Sequence, residues 1–111
     1  MHTPVRGSNP RVSTIMSQQK AEKLQNGETI ISKEPGNSMT PILKHRQPVR
    51  IAPCNWEDVK TGDIVYCKVN GYYYTHLVKA VNEKRGCLIG NNHGHVNGWT
   101  KKIYGKVIEI L

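Results

Sequence analysis

The chain has 111 residues, of which 37% are hydrophobic and 22% charged, and this composition is typical of one small globular domain rather than a low-complexity tail or a coiled coil. No apolar run approaches the roughly 20 residues that cross a bilayer, and the N-terminus lacks the apolar core of a secretory signal, so we expect a soluble, cytoplasmic protein without a membrane span. The net charge of +8 favours acidic partners such as nucleic acid, but no block of like charges gathers the basic residues. Cys54, Cys67 and Cys87 form no CxxC pair, which indicates reduced thiols.

The first 27 residues are expected to form a flexible arm followed by a short helix. Residues 1–11 contain two prolines and few apolar residues, which favours a loose arm. A helix is predicted from Ser13, a suitable N-cap, to about Gln25, with Asn26-Gly27 as its stop. Its apolar positions, which fall roughly on one face, are Val12, Ile15, Met16 and Leu24.

Residues 28–111 are expected to form a small, mostly-β (α+β) domain with antiparallel strands. Asn70-Gly71 lies between two β-rich runs and is typical of a tight hairpin turn. Gly105 indicates a bulge or bend in the last strand. The predicted strands cover residues 28–32, 48–52, 63–69, 72–81, 87–89 and 103–111.

The segment at residues 35–41, PGNSMTP, contains a candidate nucleophile. Gly36 allows a sharp turn, and Pro41 is expected in the first turn of a short helix made by Ile42 and Leu43. Ser38 would then expose its hydroxyl, with its backbone N–H placed to stabilise negative charge on an attacked carbonyl. The same residues also fit an ordinary turn in which Ser38 is a helix cap.

The order of five segments resembles that of the LexA-like and signal-peptidase-like serine peptidases. In that superfamily a segment of SMxP type carries the nucleophile, and the general base lies on a later strand. The resemblance spans about residues 28–111 and implies a small antiparallel, β-barrel-like fold. The activity it implies is hydrolysis of a peptide bond, without a cofactor. Short stand-alone members of the superfamily occur in phage, and self-cleavage in the N-terminal arm, for example at Arg6-Gly7, is one implied activity. The segments are GNSMTPIL, KTGDIVYCKVNG, YYYTHLVKAV, CLIGNNHGHVNGW and YGKVIEI.

The resemblance assigns the nucleophile to Ser38 and the general base to His76. Bacterial members use Lys at the base position, whereas archaeal and endoplasmic-reticulum signal peptidases use His. A serine hydroxyl is a poor nucleophile until a neighbouring base takes its proton, and neutral His titrates in a suitable range. Lys79 is the competing base, but strand alternation places it on the opposite face from His76.

A third group is needed to orient the imidazole of His76. The His-type signal peptidases use an Asp here, but the corresponding string, GNNHGHVN, contains no carboxylate. Asn91 or Asn97 is the candidate, since an Asn oxygen fixes the tautomer without stabilising the imidazolium as Asp does. Met39 is expected to shape the nucleophile turn and to line the cleft beside the Ser38 N–H, the candidate oxyanion donor.

Two other features support different functions. Cys87, His93 and His95 include suitable zinc ligands, but the usual ligand spacing is absent and we expect no metal. Trp56, Trp99 and the Tyr run at 72–74 could stack on bases, or could fill a core that contains no Phe.

The alternative function is therefore a catalytically weak or inactive peptidase-fold module that binds nucleic acid or a host protein through a basic, aromatic surface. For the peptidase, the resemblance implies a peptide or protein substrate extended beside a strand. It also implies a homodimer in which the last strand pairs with a second copy.

Overall fold

The protein folds as one curled antiparallel sheet with a helix packed on it. A computed structural model describes residues 10–111, and their side chains from Met16 onward. The elements of the fold are α1 (Pro10–Gln25), β1 (Ile30–Glu34), β2 (Gln47–Pro53), a 3-10 turn (Trp56–Asp58), β3 (Ile64–Val69), β4 (Tyr72–Asn82), β5 (Gly86–Gly90), β6 (Val96–Thr100) and β7 (Ile103–Ile110). The strands form one half-barrel sheet in the order β1-β2-β7-β3-β4-β5-β6, which confirms the predicted mostly-β, β-barrel-like fold with an N-terminal helix.

The N-terminal part of the chain differs from its prediction at one boundary. Helix α1 begins at Pro10, three residues before the predicted N-cap, and ends at Gln25 as expected. Residues 1–9 of the predicted arm, including the Arg6-Gly7 bond, lie outside the described residues. Within the described part of the chain, no helix has both the length and the apolar character needed to cross a membrane.

The hairpin between β3 and β4 forms at the predicted turn. Asn70 and Gly71 have φ angles of 51° and 87°, as a two-residue turn with positive φ at both positions requires. The pairing runs from Val69 with Tyr72 to Ile64 with Leu77. This register places the buried His76 opposite Val65, one pair from the open end of the hairpin.

Two hydrophobic clusters lie on opposite faces of the sheet, because successive strand residues point to opposite sides. The helix-side cluster joins α1 to the sheet and consists of Ala21, Leu24, Met39, Leu43, Val49, Ile51 and Tyr66. The far-side cluster consists of Val59, Val65, Cys67, Val69, Val78, Cys87, Ile89 and Ile103. Of the apolar helix positions predicted to share one face, Leu24 is buried, whereas Met16 is 57% exposed at a point where the helix borders a cavity.

Strand β7 passes closely under α1. A Cβ at Gly105 would lie 2.7 Å from the carbonyl oxygen of Ala52 and 3.0 Å from Cδ2 of Leu24, so this approach needs glycine. The pairing of β7 with β3 shifts beside Gly105 and leaves Tyr104 as the extra residue. The bulge predicted in this strand is therefore present one residue before Gly105.

Candidate active site

Ser38 lies in the long connection between β1 and β2. The residue after it, Met39, is 4% exposed in the helix-side cluster, as is Leu43 at 2%, so the turn is anchored to the core. The predicted helix of Ile42 and Leu43 is wrong. Residues 38–42 form turns, and a single i→i+4 bond, from Leu43 N–H to Met39 O, does not extend into a helix.

The turn and the hairpin bring Ser38 and His76 into hydrogen-bond contact. Ser38 Oγ lies 3.0 Å from Nε2 of His76, across 38 residues of sequence. At the other ring nitrogen, Nδ1 lies 2.8 Å from Oδ1 of Asn97. Because an amide oxygen only accepts, Nδ1 carries the proton and Nε2 presents a lone pair to the Ser38 hydroxyl.

The surroundings of His76 favour its neutral form. Its side chain is 9% exposed and stacks on Tyr74 with ring centroids 4.9 Å apart. Burial lowers the pKa of His76 below its ordinary value of 6.5, while the Asn97 hydrogen bond and the Glu34 charge act in the opposite direction. A ring that is neutral at pH 7 can accept a proton, which is what a general base requires.

The other predicted site residues lie in different places. Asn91 does not orient His76, since its Oδ1 accepts the N–H groups of His93 and His95 and so organises the β5–β6 loop. Lys79 is the extra residue of a bulge in β4. Its side chain lies against Gly90, since a Cβ added to Gly90 would be 3.0 Å from Lys79 Cε. The cavity that Ser38 and His76 both line does not include Lys79 among the described residues around it.

A polar network that sequence reasoning missed lies beside the Ser38–His76 pair. The Glu34 carboxylate, 18% exposed, accepts hydrogen bonds from Thr75 Oγ1 and from Ser32 Oγ. Lys20 of α1 donates to Ser32 Oγ at 2.8 Å and is ion-paired with Glu34 at 3.5 Å. The sequence contained no signal for this network, because Glu34 meets Thr75 across 41 residues.

The Ser38–His76 pair opens into a cavity of about 370 Å³. Helix α1 provides one wall of this cavity, and the turn and strands β3 and β4 provide the others. Strand β5 pairs with β4 only from Leu77 onward, so among residues 10–111 the half of β4 before His76 has a free side next to the cavity. Besides Ser38 and His76, the lining includes Met16, Lys20, Met39, Leu43, Tyr66, Tyr73 and Tyr74.

The candidate zinc ligands do not converge. Cys87 is buried and donates its S–H to the backbone oxygen of Trp56, while His93 Nε2 lies 3.0 Å from Asn37 O. In the described part of the chain, no group of three or more His, Cys, Asp or Glu residues is arranged to hold a metal ion.

The aromatic residues are divided between the core and the surface. Tyr73 stacks on Tyr66 beside the helix-side cluster with ring centroids 5.9 Å apart, whereas Tyr72 is 68% exposed. Each Trp lies under a cation of the chain: Lys101 is 5.1 Å from the Trp56 centroid, and Arg85 is 5.6 Å from the Trp99 centroid. One face of each indole is therefore already covered.

Comparison of the chain with protein-family models, with curated proteins and with solved structures finds no match. The site itself consists of a hydroxyl, a neutral imidazole and an amide oxygen, connected by two hydrogen bonds at the mouth of a cavity.

Proposed function

We propose that the protein is a serine peptidase in which Ser38 is the nucleophile, His76 the general base and Asn97 the residue that orients His76. One observation carries the proposal: the two hydrogen bonds that join Ser38 Oγ, the His76 ring and Asn97 Oδ1, at 3.0 and 2.8 Å. A nucleophile bonded to a base that a third group holds in turn is the arrangement of nucleophilic acyl transfer. The order of the sequence motifs around these residues supports the same chemistry.

The reaction begins when the Ser38 hydroxyl proton moves to Nε2 of His76 as Oγ attacks the carbonyl carbon of the scissile peptide bond. Nδ1–H keeps donating to Asn97, so the imidazolium cannot rotate away while it holds the proton. His76 then gives this proton to the leaving amine, and an acyl group remains on Ser38. A water molecule, deprotonated by His76, hydrolyses the ester and restores the hydroxyl.

The Ser38 N–H is the proposed donor to the oxyanion. Within the described residues this N–H donates to no acceptor, so it is available to the negative oxygen that forms beside Ser38 Oγ. A backbone donor in a water-poor cleft stabilises such an oxygen by about 3 kcal/mol in well-studied peptidases.

The proposed substrate is an extended segment of peptide. The free side of β4 before His76 can pair with such a segment by main-chain hydrogen bonds, and the cavity can then take one of its side chains. The apolar and aromatic wall formed by Met39, Leu43 and Tyr74 suits a side chain with an apolar body. We place the reaction in a reducing, cytoplasmic compartment because the three cysteines are free thiols.

Labelling with a serine-directed fluorophosphonate tests the proposal. Wild type should be labelled on Ser38, whereas Ser38→Ala and His76→Ala should lose labelling by at least about a hundredfold. Lys79→Met, which keeps the side-chain stem on Gly90, is the matched control and should react like wild type. Loss of labelling in Lys79→Met with retention in His76→Ala would make Lys79 the base. An unlabelled wild type would overturn the proposal and favour the alternative, a binding module.

A further inference from the structure

The loop between β5 and β6 lies against the turn that carries Ser38. The N–H of Asn92 donates to the Ser38 carbonyl at 2.9 Å. The side-chain amide of Asn92 donates to the Thr40 carbonyl at 2.8 Å. A single residue of the loop therefore holds the backbone of the nucleophile itself and of the residue two positions beyond it.

His93 adds contacts to the residue before the nucleophile and to Thr40. Its Nε2 lies 3.0 Å from the Asn37 carbonyl and 3.0 Å from Thr40 Oγ1. Because a carbonyl only accepts, Nε2 carries a proton and donates it to Asn37. The carbonyls of three of the four residues from Asn37 to Thr40 thus accept hydrogen bonds from this loop.

The same hairpin also holds the base. Its second strand, β6, contains Asn97, which bonds His76. Its first strand, β5, ends at Gly90, which pairs with Leu77, the residue after His76. One hairpin therefore contacts both halves of a site whose nucleophile and base are far apart in sequence.

We propose that Asn92 and His93 are positioning residues that hold Ser38 Oγ at hydrogen-bond distance from His76. This inference rests on the proposed peptidase function. The turn is anchored on its inner side by Met39, and the loop bonds restrain the outer, polar side of its backbone. Displacement of a reacting group by about 1 Å can cost on the order of a hundredfold in rate, so these bonds act through the position of Ser38 rather than through the substrate.

Asn92→Asp and Asn91→Asp form a matched pair that isolates the side-chain bond. Asp at 92 keeps the shape of Asn but replaces the amide donor with an acceptor that faces the Thr40 carbonyl. Asp at 91 adds the same charge one residue away and keeps the oxygen that accepts from His93 and His95. We expect fluorophosphonate labelling to slow by about tenfold or more in Asn92→Asp and to change by less than about threefold in Asn91→Asp.

A second pair of variants, at position 93, tests the positioning role of the loop even if Asn92→Asp fails to fold. His93→Ala removes the donor to Asn37, whereas His93→Gln offers a side-chain amide at nearly the same place, so we expect slower labelling in Ala and recovery in Gln. The pH midpoint of labelling should stay that of wild type in both variants, because the His76–Asn97 bond is not altered.

The outcomes separate this inference from the proposed function. Wild-type labelling rates in both Asn92→Asp and His93→Ala overturn the positioning role alone. A slower rate with a shifted pH midpoint in His93→Ala also overturns it, because the loop would then act on His76 rather than on Ser38. If Ser38 of the wild type is not labelled at all, the proposed function fails and this inference fails with it.

Discussion

Oδ1 of Asn97 lies 2.8 Å from Nδ1 of His76, at the ring nitrogen that does not face Ser38. This position corresponds to that of the carboxylate in a Ser-His-Asp triad, but the amide oxygen has no net charge. It fixes the tautomer that leaves Nε2 free to accept the Ser38 proton. It stabilises the imidazolium less than a carboxylate would, so His76 is expected to be a weaker base than the histidine of a full triad.

Replacing Asn97 should change both the rate and the pH dependence of Ser38 labelling. The labelling rate should rise as His76 loses its proton, with a midpoint at the pKa of His76. The Asn97 hydrogen bond raises this pKa, so Asn97→Ala should move the midpoint to lower pH and reduce the plateau rate by about tenfold. Asn97→Asp adds a negative charge at the same point and should move the midpoint to higher pH while increasing the plateau rate. The measurement is the second-order rate of fluorophosphonate labelling across pH.

A higher pH midpoint in Asn97→Ala, or a lower one in Asn97→Asp, would contradict this role of Asn97. If Asn97→Ala and Asn97→Asp both keep the wild-type midpoint, the side chain does not act on His76. Asn91→Asp serves as the control for added charge, since Asn91 bonds its own loop rather than the imidazole.

The stability of the protein should depend on the protonation of His76. Burial lowers the pKa of His76 in the folded state below its ordinary value of 6.5, so folding favours the neutral ring. The stability that depends on the neutral ring is therefore fully present above about pH 6.5 and is lost as the pH falls through the pKa of the folded state. His76→Gln cannot titrate and should lose less stability between about pH 7.5 and about pH 5 than wild type. Urea unfolding at the two pH values measures this difference, and equal losses in both proteins would contradict it.

Truncation of Leu24 should destabilise the contact between helix and sheet. Leu24 is 1% exposed and lies on the backbone of Gly105 in β7, so Leu24→Ala leaves a cavity and should lower the free energy of unfolding by about 2–5 kcal/mol. Met16 on the same helix is 57% exposed, and Met16→Ala should cost less than about 1 kcal/mol. Chemical denaturation of the two variants checks the prediction, and similar losses would mean that α1 is not anchored through Leu24.

The strand pattern was predictable where local chemistry decides conformation. Asn70-Gly71 predicted its hairpin because few other residues adopt two successive positive φ angles. Strand β6 was missed because it contains Asn97 and Gly98, which have low strand propensity, and Gly98 has a φ of 137°. Its pairing with β5, such as Leu88 with Trp99, stabilises a strand that its own sequence does not indicate.

The candidate site was partly predictable in the same sense. The sequence was enough to single out Ser38 in its turn and His76 in its hairpin. Alternation predicted Lys79 on the opposite face from His76, but Lys79 lies at a bulge, and its packing against Gly90 is what keeps it out of the cavity lining. The sequence could not choose between Asn91 and Asn97, since both lie in one polar stretch. The folded hairpin assigns Asn91 to its own loop and Asn97 to the imidazole.

By itself, the sequence determined the strand-rich fold, the tight turns and the residue types available for chemistry, because backbone preference and alternation act over neighbouring residues. Only the tertiary structure decided which further side chains meet: Asn97 with His76, Thr75 with Glu34, and Asn92 with the nucleophile turn. These contacts depend on how the strands pair and how the sheet curls. The residues of a strand predict which of its faces is apolar, but they do not predict which distant turn packs against that strand.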